Sequence, residues 1–369
     1  MRIGIDATAL YGRYGGVQYA VWNLLFALSR QQNAHEYIIY IPANGPPLRL
    51  RQKFDVRWHW RVLPFNGQER LKRIAWQQLA LPILLKRDRC DLLYAPTYVA
   101  PIMSAVPVVL TVFDIIAMEH PQFATTTNRC HYQLLLPLSL RRAAKIAVPS
   151  EDVRQKTGER FGVKVLLKTH VVPLGLEPLF FEEQTNLKIE AVRQKYPLPQ
   201  KYFLFVGNRE PKKNIDSLMT AYQLLKKQRP DAPALVLAGG ARPWKNQSIA
   251  VNDVHEIGYI RRRHLPALYA GSVGLVFPTL AEGFGLPVLE ALACGAPVIT
   301  TRAVPIPGIK NVVQIVDPHS VEQIAKAMVN LLDDPKITHQ ARLKGPQFAA
   351  PFTWNCAAEQ MMDLFMASV

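Results

Sequence analysis

Two glutamates eight residues apart are the side chains whose types and spacing best suit chemistry. Glu282 and Glu290 lie in the segment FPTLAEGFGLPVLEALACGAPVI. The first belongs to a glycine-rich loop, and the second lies about one turn inside the helix that the loop opens. Carboxylates bind sugar hydroxyls and a helix N-terminus binds phosphate, so the segment suits a nucleotide-sugar. An arbitrary glutamate pair at this spacing is more often solvated surface, but the surrounding glycines and proline favour a site.

The elements around this loop can be predicted from local pattern. LVFP (275–278) and PVIT (297–300) indicate two short buried parallel strands. Gly283 and Gly285 permit close backbone approach, and Pro287 suits the first turn of a helix. The loop is therefore expected at the carboxyl end of a parallel strand, where open α/β sheets bind ligands.

A second candidate site is the basic turn FVGNREPKKN (205–214). A strand is expected to end at Gly207, and a helix to begin near residue 214, with Arg209, Lys212 and Lys213 between them. Cations beside a helix N-terminus at a strand's carboxyl end form a diphosphate cradle that needs no metal. A solvated basic loop is the alternative interpretation.

A glycine loop, YGRYGGVQ (11–18), follows the first expected strand and opens a helix. Alone it is a weak signal, since a tight connection would also need glycine. The chain has no Asp-x-Asp triplet, which argues against a carboxylate-held metal for a diphosphate.

Short apolar strands alternate with helices along the whole chain, which predicts parallel sheets covered on both faces. The length of 369 residues suggests two domains, with a junction near 174–200 and a cleft between them. A last amphipathic helix is expected at 352–368. The expected strands lie at 2–6, 36–41, 91–95, 107–113, 145–149, 169–173, 202–207, 234–239, 274–278, 297–300 and 312–316.

The stretch 69–87 is a predicted helix with two possible locations. Its apolar residues and flanking cations would permit a membrane-surface helix. Packing on the first sheet is favoured, because an expected strand, DLLYA (91–95), follows it directly.

Charge is unevenly shared along the chain. The net charge is +16, and residues 1–180 hold 23 Lys and Arg against 12 Asp and Glu, whereas residues 181–369 hold 21 against 16. The densest basic stretch is 49–73. This excess favours an anionic partner such as a phospholipid surface or a diphosphate-linked lipid, with a solvated basic face as the alternative. Nucleic acid is disfavoured, because the aromatic residues do not interleave with the basic ones.

No targeting signal is expected from the pattern. The first residues are predicted to form a strand rather than a leader, and no apolar run reaches the length expected of a membrane span. The four cysteines (Cys90, Cys130, Cys294 and Cys356) lack metal or redox spacing. We expect a soluble cytoplasmic protein, with peripheral attachment to the inner face of the plasma membrane left open by the basic half.

In order along the chain, these motifs resemble glycosyltransferase family 4, the retaining nucleotide-sugar transferases of the GT-B fold. The likeness spans nearly the full length, and the Glu-x7-Glu signature is its most specific part. Besides the two site segments, it includes the Gly15–Gly16 loop, TVFD (111–114), VPSEDVRQ (148–155), VVPLGLEPLF (171–180) and FTW (352–354).

The resemblance implies a role for each matching residue. Glu282 would hydrogen-bond the donor sugar and Glu290 the nucleotide ribose. Lys213, helped by Arg209, would neutralise the leaving diphosphate, and Gly16 would let the first domain approach it. The remaining donor-binding positions would be Gly207, Asn208, Lys212, Gly283, Phe284, Gly285 and Leu286.

Two positions depart from the usual family pattern. Many relatives have arginine directly after the glycine of the phosphate loop, where this chain has Asn208. Many relatives also have His-Asp near the donor sugar, where this chain has Phe113 and Asp114. Phe113 and Asp114 are therefore expected in the vicinity of the acceptor or the sugar.

The resemblance implies two doubly wound Rossmann-like domains. Residues 1–178 would bind the acceptor, 179–350 the nucleotide-sugar, and 351–369 would form a helix that crosses back to the first domain. The expected reaction moves a hexose to a lipid-linked saccharide in cell-surface polysaccharide synthesis, without metal or other cofactor. GDP-mannose is the favoured donor, because the phosphate loop and AGGARPW (238–244) resemble the mannosyl subgroup.

Two alternatives remain open at this point. One is a nucleotide-sugar epimerase of the same architecture, which would convert the donor without an acceptor. The other is a non-catalytic, membrane-recruited partner of another transferase, which would bind lipid and no donor.

Overall fold

The computed structural model describes residues 1–12, 15–123, 126–240 and 252–369, without the side chains of 126–131. The contacts between Cα atoms divide the chain into two compact units. Unit 1 contains Met1–Gly175 and Phe352–Val369, and unit 2 contains Leu176–Pro351. Each unit is built on a parallel sheet with helices packed against it, which confirms the predicted fold class.

Unit 1 contains a seven-stranded sheet in the described part of the chain, with the order β3-β2-β1-β4-β5-β6-β7 and parallel pairing throughout. The central strands are short and almost wholly apolar because both faces are covered. The strands are β1 (Arg2–Asp6), β2 (Glu36–Ile41), β3 (Trp58–Val62), β4 (Leu92–Ala95), β5 (Val108–Thr111), β6 (Lys145–Val148) and β7 (Thr169–Val171).

The helices of unit 1 connect these strands. They are α1 (Gly16–Ser29), α2 (Leu48–Arg51), α3 (Arg70–Ala75), α4 (Leu81–Arg87), α5 (Ile116–Glu119), α6 (Thr126–Arg142), α7 (Glu151–Phe161) and α8 (Val163–Leu166). A single wide π-turn, Trp76–Ala80, joins α3 to α4, so 70–87 is one continuous helical segment. Among the described residues, no helix has the length and apolar character needed to cross a membrane.

Unit 2 contains a second parallel sheet, with the order β10-β9-β8-β11-β12-β13 among the described strands. β8 and β11 are neighbours in the middle of this sheet, so the loops that follow them leave the same edge side by side. The strands are β8 (Tyr202–Val206), β9 (Ala234–Ala238), β10 (Val254–Gly258), β11 (Gly274–Phe277), β12 (Val298–Thr300) and β13 (Gln314–Ile315).

The helices of unit 2 cover its sheet. They are α9 (Asn186–Lys195), α10 (Ile215–Gln228), α11 (Leu265–Ala270), α12 (Leu286–Ala293), α13 (Val321–Asp333) and α14 (Pro335–Ala349).

The last helix, α15 (Trp354–Met366), belongs to unit 1 although it follows unit 2 in sequence. Its apolar face joins the buried core cluster that includes α1, and the Phe365 ring lies 5.2 Å from that of Tyr94 on β4. The chain enters this helix so close to Gly175 that a Cβ there would lie 2.2 Å from the Trp354 nitrogen. The predicted return of the last helix to the first domain is therefore confirmed.

Two strands were not predicted from the sequence. β3 and β10 each form an outer strand of their sheet, and each carries exposed polar side chains instead of a continuous apolar run. Outer strands need no apolar residues on both faces, which explains why the apolar-run criterion missed them. The predicted strand 312–316 is shorter than expected, since only Gln314–Ile315 pairs.

Candidate functional site

An ion pair between Lys213 and Glu282 lies at the carboxyl edge of the unit 2 sheet. Lys213 follows β8 and Glu282 follows β11, so the pair joins the loops of two neighbouring strands. Both side chains are largely buried, at 12% and 9% exposed. The Lys213 ammonium also lies 4.7 Å from the centre of the Phe277 ring, a cation–π contact that holds it in place.

Backbone and hydroxyl contacts fix the two loops against each other. The Leu280 N–H donates to the Lys212 carbonyl at 2.7 Å, and the Thr279 hydroxyl, whose single proton is shared with Glu282, lies 2.9 Å from the same carbonyl. The Asn214 amide donates to the carbonyls of Pro278 and Pro318, at 3.1 and 2.7 Å. Thr279 and Asn214 hold the two loops together, and neither was predicted from the sequence as a site residue.

The electrostatic environment keeps Glu282 ionised. Burial alone would raise the pKa of this carboxyl, but the charges of Lys213 and Lys212 and a 3.0 Å hydrogen bond from Thr279 outweigh it. The net effect lowers the pKa of Glu282 below its usual value. The loop therefore presents a buried carboxylate that can accept hydrogen bonds.

Glycine is required where the backbone segments approach most closely. A Cβ on Gly239, at the end of β9, would lie 1.9 Å from the Gly207 carbonyl oxygen. Gly285 caps the N-terminus of α12 with φ of +104°, and a Cβ there would lie 2.7 Å from a methyl carbon of Val304. Both the phosphate-loop candidate and the start of α12 depend on residues without side chains.

Glu290 lies in a buried network that the sequence did not reveal. One carboxylate oxygen lies 2.8 Å from Arg262 Nη1, and the other accepts a 2.8 Å hydrogen bond from the Tyr269 hydroxyl. Arg262 also pairs with Glu177, and its guanidinium carbon lies 4.9 Å above the Phe180 ring. The two predicted glutamates thus have separate cationic partners.

The network favours fixed protonation states. Burial disfavours the charge of Arg262, but Glu290 and Glu177 outweigh that effect and raise the pKa of Arg262 above its usual value. Burial, and then the charge of Glu290, raise the pKa of Tyr269 well above its usual value. Tyr269 therefore remains a phenol that donates to Glu290. A carboxylate oxygen has two lone-pair sites, so each oxygen can accept a further hydrogen bond.

The other predicted residues of unit 2 lie around these loops. Arg209 forms an ion pair with Glu256 of β10, and its backbone N–H donates to the Gly240 carbonyl at 3.3 Å. Asn208 lies beside Gly240, close enough that a Cβ there would be 3.3 Å from the Asn208 side-chain oxygen. Gly283 and Phe284 are buried, and Leu286 is half-buried as the first residue of α12.

Three predicted residues belong to unit 1. Gly16 is the first residue of α1, and a Cβ built there would meet nothing within 4 Å among the described residues, apart from its chain neighbours and its own helix backbone. Phe113 is buried, with its ring 6.0 Å from that of Tyr98. Asp114 accepts a 3.3 Å hydrogen bond from the Tyr98 hydroxyl, and Tyr98 has a φ of +60°. Tyr98 is a further residue that sequence reasoning missed.

Part of the sequence interpretation lies outside the described residues. In the AGGARPW motif, residues 241–244 are not described, and neither are 13–14 of the first glycine loop. Across the described ranges, no three His, Cys, Asp or Glu side chains converge as they would around a metal ion.

Family models match both halves of the chain. Residues 14–178 match the model described as glycosyltransferase family 4, and residues 188–348 match the model described as glycosyl transferases group 1. The two matches together extend across both structural units.

Two curated relatives from Escherichia coli are mannosyltransferases by name. O-antigen chain mannosyltransferase B is 35% identical over 179 residues, which are 46% of this chain and 47% of that protein. Serotype-specific mannosyltransferase WbdA is 29% identical over 188 residues, which are 48% of this chain and 23% of that protein. The match therefore spans less than half the length of either relative.

Solved structures similar to this chain are glycosyltransferases of the GT-B fold. Anabaena Alr3699/HepE, solved in complex with UDP and glucose, has a TM-score of 0.76 and 18% identity, covering 100% of both chains. WaaG, a glycosyltransferase involved in lipopolysaccharide biosynthesis, has a TM-score of 0.74 and 17% identity over 98% of this chain and 99% of that one. The chain has the GT-B fold, resembles bacterial mannosyltransferases, and belongs to glycosyltransferase family 4.

Proposed function

We propose that this protein transfers a hexose, with mannose from GDP-mannose favoured, to a lipid-linked saccharide and retains the anomeric configuration. One observation carries the proposal: the buried Lys213–Glu282 pair at the carboxyl edge of the unit 2 sheet. A cation and a carboxylate fixed in one small volume suit a ligand that has both a diphosphate and sugar hydroxyls.

In this proposal, Lys213 neutralises the charge that develops on the leaving diphosphate. Lys212 and Arg209 follow the same strand, β8, and add two further cations to that loop. Glu282 accepts a hydrogen bond from the donor sugar, and its lowered pKa keeps it able to do so at neutral pH. Retaining transfer through an oxocarbenium-like state needs positioning and charge stabilisation more than a protein nucleophile.

Glu290 is proposed to bind the ribose diol of the nucleotide. Tyr269 and Arg262 hold the two oxygens of its carboxylate, and the remaining lone pairs would accept the two hydroxyls. No metal is required in this scheme, because lysine and arginine neutralise the diphosphate.

The donor assignment draws on the names of the curated relatives, which are mannosyltransferases. Anabaena Alr3699/HepE, by contrast, was solved in complex with UDP and glucose. A thermal-shift panel of GDP, UDP and ADP, each with its sugars, separates these donors, because a ligand that binds only the native state raises the melting temperature. GDP and GDP-mannose should give the largest shifts.

Transfer is tested with radiolabelled GDP-mannose and a synthetic saccharide on an aliphatic chain, in buffer containing EDTA. Glu282→Gln and Lys213→Met should each slow turnover by at least about a hundredfold, as for other lost transition-state charge contacts. Lys201→Gln, an exposed lysine before β8, is the matched control. Near-normal turnover in both site variants, or an absolute need for added metal, would contradict the proposal.

Product analysis distinguishes the alternatives. Conversion of the donor sugar without any acceptor would identify an epimerase instead. Inversion of the new linkage, seen by the anomeric coupling constant, would refute retention. Absence of both donor binding and turnover would favour a non-catalytic partner.

A further inference from the structure

Unit 1 has an exposed apolar surface that its own core does not use. It lies on three neighbouring segments: the helical segment 70–87, the connection 99–107, and α6. Leu71, Leu79, Ile83 and Met103 are 83%, 71%, 69% and 79% exposed, respectively. Leu134 and Leu138 of α6 are exposed as well. We call these six residues the apolar face.

Hydrogen bonds show that the three segments are contiguous. The Gln78 side chain donates to the Ala100 carbonyl at 3.1 Å and accepts from the Ile102 N–H at 3.1 Å. On the other side of the connection, the Ala100 N–H donates to the Ser139 hydroxyl of α6 at 3.1 Å. The two helices therefore flank the connection, and Met103 lies in the connection between them.

The wide turn Trp76–Ala80 explains how one side of the helical segment packs into the core while its apolar residues on the other side stay exposed. Trp76 and Gln77 both face the interior, where Gln77 donates to Asp6 and Val99 at 2.6 and 3.0 Å. In an α-helix, residues spaced four apart rotate gradually around the helix axis. Because a π-turn holds more residues than an α-turn, it offsets this rotation. Leu71, Leu79 and Ile83 thus stay on the outer side of the segment.

The charge of the same segments points to the partner. Residues 70–87 contain five Lys and Arg, 126–142 contain three, and neither these segments nor 99–107 contain any Asp or Glu. The acidic residues at the ends of the first segment are already paired: Glu69 with Lys72, and Asp88 with Arg61. An apolar stripe flanked only by cations suits an anionic lipid surface, which offers acyl chains to the apolar side chains and negative headgroups to the cations.

We propose that the apolar face docks unit 1 on an anionic phospholipid bilayer, with the leucines inserted among the acyl chains and the cations at the headgroups. This inference deepens the proposed function, since a lipid-linked acceptor would lie in that bilayer. It also rests on a different set of residues, because none of the six residues of the apolar face belongs to the candidate donor site.

The experiment measures cosedimentation of the full chain with vesicles of phosphatidylcholine, with or without phosphatidylglycerol. We expect binding only when phosphatidylglycerol is present, weakened by high salt. The triple variant Leu71→Gln, Leu79→Gln, Ile83→Gln should bind at least about tenfold more weakly, because the inserted side chains supply apolar burial. A second triple variant should bind the vesicles about a hundredfold more weakly, because each cation near the surface contributes roughly 1 kcal/mol. It carries Lys72→Gln, Lys86→Gln and Arg87→Gln.

A matched control replaces two exposed leucines of unit 2, Leu187→Gln and Leu343→Gln, and should bind like the unaltered protein. Equal binding to neutral vesicles, or unchanged binding of the apolar-face variant, would overturn the inference. So would a dimer that the apolar-face variant converts to monomer without any effect on vesicles.

Transfer to a water-soluble acceptor separates this inference from the proposed function. The apolar-face variant should transfer at the normal rate to such an acceptor. Vesicle binding without any transferase activity would refute the proposed function alone, and activity without vesicle binding would refute this inference alone.

Discussion

Replacing Arg262 with methionine should destabilise unit 2 because it leaves two acidic side chains without their shared cation. The Arg262 side chain is 14% exposed, and its partners Glu177 and Glu290 are 20% and 4% exposed. Methionine retains an apolar stem against Phe180 but removes the charge. Loss of one partner from a buried ion pair costs about 3–5 kcal/mol of folding free energy, because the other charge stays buried.

The cost follows from the carboxylates that Arg262 would leave behind. Glu290 would lose its 2.8 Å contact with Arg262 Nη1, and Glu177 would lose its own ion pair with the same guanidinium. The Tyr269 hydroxyl would still donate to Glu290 at 2.8 Å, but a neutral donor does not replace the cation. A variant that also removes the Glu290 charge should therefore be less destabilised.

The measurement is urea unfolding followed by circular dichroism, with hydrogen exchange of α12 peptides to identify the unit 2 transition. Arg262→Lys keeps a cation and should lose much less stability. Adding Glu290→Gln to Arg262→Met should recover part of the loss, because no buried carboxylate remains at that position. An Arg262→Lys variant as unstable as Arg262→Met, or a double variant as unstable as the single one, would refute the reasoning.

Three further outcomes can be checked directly. Gly239→Ala should lower the free energy of unfolding by about 1–3 kcal/mol or more, because its Cβ would meet the Gly207 carbonyl. Gly16→Ala, whose Cβ would meet no non-neighbouring atom of the described residues within 4 Å, should unfold normally while transferring more slowly. Cys90, whose pKa burial raises to about 11, should resist maleimide at pH 8 in the folded protein and react after unfolding, as mass spectrometry would show. Phe365→Ala should cost unit 1 about 3–5 kcal/mol in urea unfolding, and a loss below about 1 kcal/mol would contradict the packing of the last helix.

Much of the parallel-sheet framework could be predicted because central strands are short apolar runs. β8 and β11, which carry the two candidate loops, were both recognised in this way. Glycine and proline then indicated where the loops and helices begin, since few residues tolerate those conformations. The position of Lys213 and Glu282 on two loops at one carboxyl edge follows from these local signals.

The network around Glu290 could not be predicted, because it depends on tertiary contacts. Arg262 is the middle of three consecutive arginines, 261–263, a pattern typical of a solvated surface. Only the fold brings it between Glu177 and Glu290. Its location after β10 was a possible signal, but that outer strand has no apolar run that would have revealed it.

The helical segment 70–87 also has a feature that could not be predicted from the sequence. Packing on the first sheet was favoured over a membrane-surface location, and Trp76, Leu81 and Leu85 do pack into the core. The wide turn within it has no signature in residue type, so the exposure of Leu71 and Leu79 on the opposite side could not be read from periodicity.

The insertion of unit 2 between the two segments of unit 1 has a consequence for synthesis on the ribosome. The core of unit 1 is incomplete until α15 has left the exit tunnel, after the whole of Leu176–Pro351 has been translated. At about 5–20 residues per second, those residues take roughly 10–35 seconds. During that interval the apolar side of α1 is not yet covered by α15. Unit 2 can therefore finish folding before unit 1 does. Chaperones would have the longest access to the nascent first domain.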